Sequence, residues 1–335
     1  MANINLTKLF RIILSSLSFL TLIYSCSKDE TNDLPPVKSN SSFIIAGYLP
    51  EWGITRINNQ ELSKLDIIYY FSIQPDSNGN FEMNATDQNN INNLKAKLNS
   101  KTKLFVTIGG WYESETIFPM ASDAVKRHDY ALKLLKFCQE NQIRGIDLDW
   151  EDYPKLINED QYIALTKELS DVLKPAGIKL SIAAGTGPAA ISRTVKCVPL
   201  VDYINLMSYG ELDSHGNHAT YEQLLSDLKS YENKGISKSK IIAGVPFYAQ
   251  RPYISGDASP FTITYRKIAE QAQPLSSQTN YGNYSFNSRD LLKQKTHYLM
   301  ANKYAGIMAW ELSQDTDFLS EYSLLSAILQ ETGRE

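Results

Sequence analysis

Eight short runs rich in β-branched and aromatic residues, at positions 43–48, 67–73, 104–108, 145–151, 180–184, 203–207, 241–245 and 305–310, alternate with longer amphipathic stretches. The stretches at 89–98, 124–138, 161–173, 221–231 and 288–303 carry apolar residues at helical spacing. Strands that are apolar on both faces need cover on both, and intervening helices supply it around a parallel sheet. Eight such units fit a closed barrel better than an open sheet. A doubly wound sheet would carry a glycine-rich turn after its first strand, and Tyr48-Leu49-Pro50-Glu51 is not one. The expected fold class is α/β, a (β/α)8 TIM barrel with a short or absent insertion domain after the seventh strand. The segment 250–286 breaks the rhythm, being long, polar and aromatic with one helix-like piece at 265–271. In a barrel it would follow strand seven, at the end where sites are built.

The fourth run, Arg144-Gly145-Ile146-Asp147-Leu148-Asp149-Trp150-Glu151, is chemically unlike the others. A period of two puts Asp147, Asp149 and Glu151 on one face and Ile146, Leu148 and Trp150 on the other. Carboxylates about 6.6 Å apart along one buried strand face repel each other, so at least one should keep its proton near neutral pH. A general acid needs that property. Barrel sites open at the C-terminal ends of the strands, which places Glu151 at the mouth and Asp149 and Asp147 progressively deeper. Aromatic residues gather at the same ends: Tyr48 and Trp52, Phe71, Trp111, Tyr209, Tyr248 and Trp310, with Met207 beside them. Acids ringed by aromatic faces suit a sugar, whose apolar face stacks on rings while a carboxylic acid protonates the leaving oxygen.

Composition narrows the partners. With 43% hydrophobic and 21% charged residues the chain is ordinary globular protein, and a net charge of −4 offers nothing to nucleic acid. Three cysteines without a Cys-x-x-Cys pair indicate neither a disulfide framework nor a zinc site, and four histidines leave little for a histidine-based centre. Cys138 and Cys197 are expected as free thiols in the core.

Residues 1–26 stand outside the fold. Lys8 and Arg11 precede a short apolar run at 12–23, which fits a secretory signal rather than a membrane span. The sequence Ile23-Tyr24-Ser25-Cys26 resembles the lipobox at which bacterial lipoproteins are cleaved and acylated, making Cys26 the lipidation site. Ser27-Lys28-Asp29-Glu30 looks like the acidic signal of surface-exposed outer-membrane lipoproteins. A plain secretory signal is the alternative. Residues 27–42 form a polar tether and 43–335 the barrel, expected to act as a monomer.

Taken in order, the motifs resemble those of the family 18 glycoside hydrolases, the chitinases and their relatives, from about Ile44 to Asp317. Asp147, Asp149 and Glu151 match three of the four acids in its Asp-x-x-Asp-x-Asp-x-Glu signature. Thr107-Ile108-Gly109-Gly110 echoes its Ser-x-Gly-Gly strand and is followed by Trp111; Met207-Ser208-Tyr209, Gly244-Val245-Pro246-Phe247-Tyr248 and Trp310 match three further motifs. The resemblance implies that Glu151 is the acid and later the base, and that the substrate's own 2-acetamido oxygen is the nucleophile, with configuration retained. It implies that Asp149 orients the acetamido group and shares a proton with Asp147 or Glu151, and that Tyr209 bonds the acetamido oxygen. Trp310 would floor the site and Trp111 would stack beyond the scissile bond, with Tyr48, Phe71, Met207 and Tyr248 completing the lining. No metal or organic cofactor is implied.

Four departures from the family pattern stand out. Arg144 replaces the first acid of the signature, where only a structural effect is expected. Gly210 replaces the Asp that commonly follows the Tyr of strand six, with Glu211 next to it. Asp152 is inserted between Glu151 and the Tyr153-Pro154 pair. The segment 250–286 is shorter than the insertion that walls the groove of processive chitinases, implying an open cleft and internal cleavage. The implied activity is hydrolysis of β-1,4-linked N-acetylglucosamine polymers. An endo-β-N-acetylglucosaminidase acting on N-glycan cores and a non-catalytic glycan-binding barrel are the alternatives.

Overall fold

A computed structural model describes residues 42–152, 155–256 and 258–335. The signal and tether at 1–41, Cys26 included, and the Tyr153-Pro154 pair lie outside the described residues.

Eight parallel strands close a barrel: β1 (Ile44–Pro50), β2 (Ile67–Phe71), β3 (Lys103–Gly109), β4 (Gly145–Asp149), β5 (Lys179–Ala184), β6 (Tyr203–Leu206), β7 (Ile241–Pro246) and, after four short strands, β12 (Gly306–Trp310). Helices run between them: α1 (Asn59–Ser63), α2 (Ala85–Lys97), α3 (Ile117–Ala121), α4 (Ala124–Asn141), α5 (Glu159–Leu173), α6 (Pro188–Cys197), α7 (Tyr221–Glu232), α8 (Tyr265–Ala272), α9 (Arg289–Ala301) and the terminal α10 (Leu324–Thr332). Side chains of Asp123, Asn158, Thr220 and Ser288 accept the free N–H groups that open α4, α5, α7 and α9.

The two strand faces enter two different cores. Ile45, Leu49, Ile68, Tyr70, Ile146 and Leu148 face the helices, while Ala46, Tyr48, Ile67, Tyr69, Phe71, Phe105 and Met308 fill the barrel interior. Every residue of β4 is buried, carboxylates included. Cys138 and Cys197 are free and buried, as expected.

Residues 250–286 are not a loop with one helix. Strands β8 (Tyr248–Gln250), β9 (Thr262–Thr264), β10 (Asn280–Tyr281) and β11 (Tyr284–Ser285) form an antiparallel sheet in the order β10-β11-β8-β9, accompanied by α8. Strands of two or three residues carry too little alternation to be seen in a sequence. The insertion is short and folded. It is tied to the barrel's loops through Ser285, whose hydroxyl accepts from the His218 N–H at 2.9 Å, and through Gln250, whose Nε2 donates to Gly210 O at 3.0 Å.

Candidate active site

In a parallel sheet, residues in register point the same way. Asp147 is in register with Thr107 on β3 and Ser181 on β5, so its carboxylate enters the barrel between two hydroxyls. Ser181 Oγ donates to Oδ1 at 2.6 Å and Thr107 Oγ1 to Oδ2 at 3.5 Å. Tyr48 Oη donates to Oδ2 at 2.7 Å and Asn205 Nδ2 to Oδ1 at 3.0 Å. Burial pushes the Asp147 carboxyl up to about 6, and these four donors oppose that rise.

Asp149 sits one inward position further along. Its neighbour in register is Gly109, whose φ of +96° belongs to glycine and whose Cβ would meet the Asp149 carbonyl at 2.3 Å. Gly110 N–H donates to that carbonyl at 2.7 Å. Oδ1 of Asp149 is buried without a hydrogen-bond partner. Burial first, then the charges of Glu151 and Asp147, hold its carboxyl well above the usual range.

Strand pairing stops at Asp149, two residues before the 145–151 run ends, so Glu151 stands just beyond the strand. Its N–H donates to Ser114 Oγ at 3.0 Å. Trp150 turns outward as the alternation requires and stacks on Tyr162, with centroids 5.6 Å apart. Burial, and secondarily the charge of Asp152, raise the Glu151 carboxyl to about 7. The pair of Asp149 and Glu151 therefore holds a proton near neutrality.

A cavity of about 760 Å³ opens over these acids. Tyr48, Trp111, Met207, Tyr209, Tyr248 and Trp310 line it together with Asp149, Glu151 and Glu211. Burial and the nearby carboxylates raise the Tyr48 and Tyr209 phenols well above their ordinary value, so both are neutral donors. Trp310 meets Tyr48 edge-on at 5.3 Å.

Two of the ten expected catalytic and lining residues do not line this cavity. Asp147 lies beneath it, fully buried. Phe71 packs edge-on against Trp310 at 5.0 Å and against exposed Trp52 at 6.2 Å, and lines a neighbouring recess of about 250 Å³ with Glu51, Gln74 and Glu113. It is the last residue of β2 and packs behind the Trp310 ring. Arg144 is exposed, and its backbone links β3 to β5.

Ser181, Asn205, Ser114 and Arg193 were not among the sequence candidates. The signal for two of them was present: Ser181 and Asn205 are small polar residues at inward positions of otherwise apolar strands.

The comparisons agree with this architecture. Endochitinase 1 of Metarhizium robertsii is 26% identical over 271 residues, which cover 66% of this chain and 64% of that protein. This chain thus spans less than two thirds of that relative's length. A GH18 chitinase ChiB from the chitin utilization locus of Flavobacterium johnsoniae superposes with a TM-score of 0.71 at 22% identity, covering 88% of this chain and 94% of that one. The group II chitinase catalytic domain 2 of Ostrinia furnacalis, solved as a mutant in complex with penta-N-acetylchitooctaose (NAG)5, gives 0.72 at 18% identity, covering 86% and 96%. At these identities the two structures show the fold. The model of glycosyl hydrolases family 18 matches residues 44–315, and the chain belongs to that family.

Proposed function

We propose that the chain is a retaining, endo-acting chitinase that cuts β-1,4 bonds between N-acetylglucosamine units with the substrate's own acetamide as nucleophile. One observation carries the reading: Asp149 keeps a buried oxygen without a partner beside Glu151, under a cavity walled by Tyr209 and Trp310. A buried acceptor left open at the floor of a cavity is made good by a ligand donor. The N–H of an acetamido group supplies one, and Tyr209 Oη can donate to the acetamide oxygen.

The steps follow from the protonation states. Protonated Glu151 gives its proton to the glycosidic oxygen as the bond to C1 breaks, and the acetamide oxygen closes on C1 to form an oxazolinium ion. Glu151, now a carboxylate, takes a proton from water as that water attacks C1 from the face the leaving group vacated. Two displacements return the original configuration. Among the described residues of the insertion's sheet and helix, Tyr248 alone lines the cavity, which supports an open cleft and internal cleavage.

For the chain's first 42 residues we propose a signal cut before Cys26 and a lipid anchor holding a monomeric barrel at the outer face of the cell envelope. The apolar run at 12–23 and the Ser25-Cys26 junction support this. Labelling with a fatty acid and its loss in Cys26→Ala test it. Among the described residues no helix is long and apolar enough to cross a membrane.

The test of function is product analysis on defined N-acetylglucosamine oligomers, beside partly deacetylated oligomers and a high-mannose glycoprotein. The expected result is internal cleavage of the acetylated oligomers with the β-anomer formed first, and no cleavage by Glu151→Gln, which still binds them. Cleavage confined to the glycoprotein would make the chain an endo-β-N-acetylglucosaminidase. Binding by the wild type with no product would make it a glycan-binding barrel.

A further inference from the structure

Glu151 is followed directly by a second acid, and that acid is clamped. Arg193 on α6 donates to Asp152 through both ends of its guanidinium, Nη2 to Oδ2 at 2.5 Å and Nη1 to Oδ1 at 3.2 Å. Ile157 N–H donates to Oδ1 at 2.8 Å. The Arg193 guanidinium also lies 5.7 Å from the centroid of Tyr162, the ring that stacks on Trp150. The chain on either side of Glu151 is thus anchored, before it by Trp150 stacked on Tyr162 and after it by Asp152 paired with Arg193. All five residues line the main cavity.

A second observation concerns the residue after Tyr209, where the family commonly has an acid. Gly210 has φ +96°, and a Cβ there would meet nothing nearer than Tyr248 Oη at 4.0 Å. Its N–H donates to His218 Nε2 at 3.1 Å and its carbonyl accepts from Gln250 Nε2 at 3.0 Å. No carboxylate reaches the site from that position. Among the residues lining the cavity, the charged ones besides Asp149 and Glu151 are Asp152, Arg193 and exposed Glu211.

We propose that Asp152 and Arg193 are a positioning pair that fixes Glu151 and sets the pH range over which it serves as acid and then base, in place of the acid missing at Gly210. The inference rests on the reading of Glu151 as the proton donor. Asp152 makes the Glu151 anion costlier. Arg193, bonded to Asp152 in a fork, sets a cation against its carboxylate and limits how far that field extends. Removing Asp152's charge lets Glu151 lose its proton at lower pH, and removing Arg193 leaves Asp152 unopposed and delays the loss. The other titratable groups around the cavity are common to both cases: Asp149, Tyr209 after β6, Tyr48 on β1, Tyr248 on β8 and Glu211, with Asp147 beneath them on β4. Glu113, in the loop after β3, acts through Asp149.

Asp152→Asn, Arg193→Met and Arg193→Lys in the full chain test this. Two readouts are used: the carboxyl carbon resonance of Glu151 against pH, assigned by its absence in Glu151→Gln, and kcat/KM against pH on a chito-oligosaccharide. Asp152→Asn should lower the Glu151 midpoint by roughly one unit, and Arg193→Met should raise it by a comparable amount. A one-unit fall means kcat/KM drops about tenfold at about pH 8 with a far smaller loss at about pH 5. Arg193→Lys, which keeps the cation, should restore the wild-type midpoint. Midpoints that do not move, or that move together in one direction, overturn the proposal, as does a loss of kcat/KM by one factor at every pH. The resonance reports on the pair even if no glycan is cut, so failure of the enzyme reading and failure of the pair are separate results.

Discussion

Tyr48 Oη donates to Oδ2 of Asp147 across 2.7 Å of barrel interior, and Asn205 ties the two together by donating to Tyr48 Oη and to Asp147 Oδ1, each at 3.0 Å. Tyr69 Oη closes the net by donating to Asn205 Oδ1 at 3.2 Å. These residues come from β1, β2, β4 and β6, so the lowest acid of the site is fixed from across the barrel.

Asn205→Ala should therefore be felt in both stability and chemistry. It removes a donor from Asp147 and Tyr48 and strips the Tyr69 hydroxyl of its acceptor, all in fully buried surroundings. Leaving buried polar groups unpaired should destabilise the fold by about 1–3 kcal/mol in urea unfolding. Losing a donor also disfavours the Asp147 carboxylate, so its protonation midpoint should rise.

The proposed role of Glu151 as proton donor gives the wild type's pH profile a direction. In that role it must enter the reaction protonated, and burial raises it to about 7. kcat/KM should fall through a single proton loss with a midpoint near that value, by about tenfold per unit above it. A descending limb near 4.5, the ordinary value of a glutamic acid, would remove Glu151 from the role.

Much of this site is legible in the sequence because period-two alternation is a direct statement about faces. Asp147, Asp149 and Glu151 separate from Ile146, Leu148 and Trp150 by spacing alone, and the barrel follows from eight apolar runs. Register between strands is not legible in that way. That Ser181 and Thr107 flank Asp147, or that Arg193 reaches Asp152 from a helix 41 positions later, depends on the barrel's closure. The placement of Phe71 against Trp310 and Trp52 instead of in the cavity is likewise not legible, because it depends on which residues of other strands and loops meet the end of β2.

Gly109→Ala should separate backbone geometry from side-chain chemistry. The alanine methyl would lie 2.3 Å from the Asp149 carbonyl at a φ of +96°, so β3 or β4 must shift. The expected cost is at least about 2 kcal/mol, read as a lowered midpoint of thermal or urea unfolding. Because the displaced carbonyl belongs to Asp149, kcat should fall more than KM rises.

Glu61 offers a test of electrostatics away from the cavity. It lies on α1, only 3% exposed, and burial followed by the charge of Asp315 raises its carboxyl from 4.5 to about 8. Between those values the folded chain holds a proton that the unfolded chain has released. The stabilisation from that proton is complete below about pH 4.5 and disappears as pH rises through about 8. Glu61→Gln cannot release it. Asp315 and Lys295, also buried and shifted, titrate in both proteins and largely cancel in the difference. The unfolding free energy of the wild type minus that of Glu61→Gln should therefore decline across this window, by an amount on the order of a few kcal/mol. Urea unfolding at a series of pH values measures it. A difference that is flat, or that climbs with pH, would mean that Glu61 is ionised in the folded protein and that the Asn58 backbone hydrogen bond and Arg266, which oppose the rise, outweigh burial there.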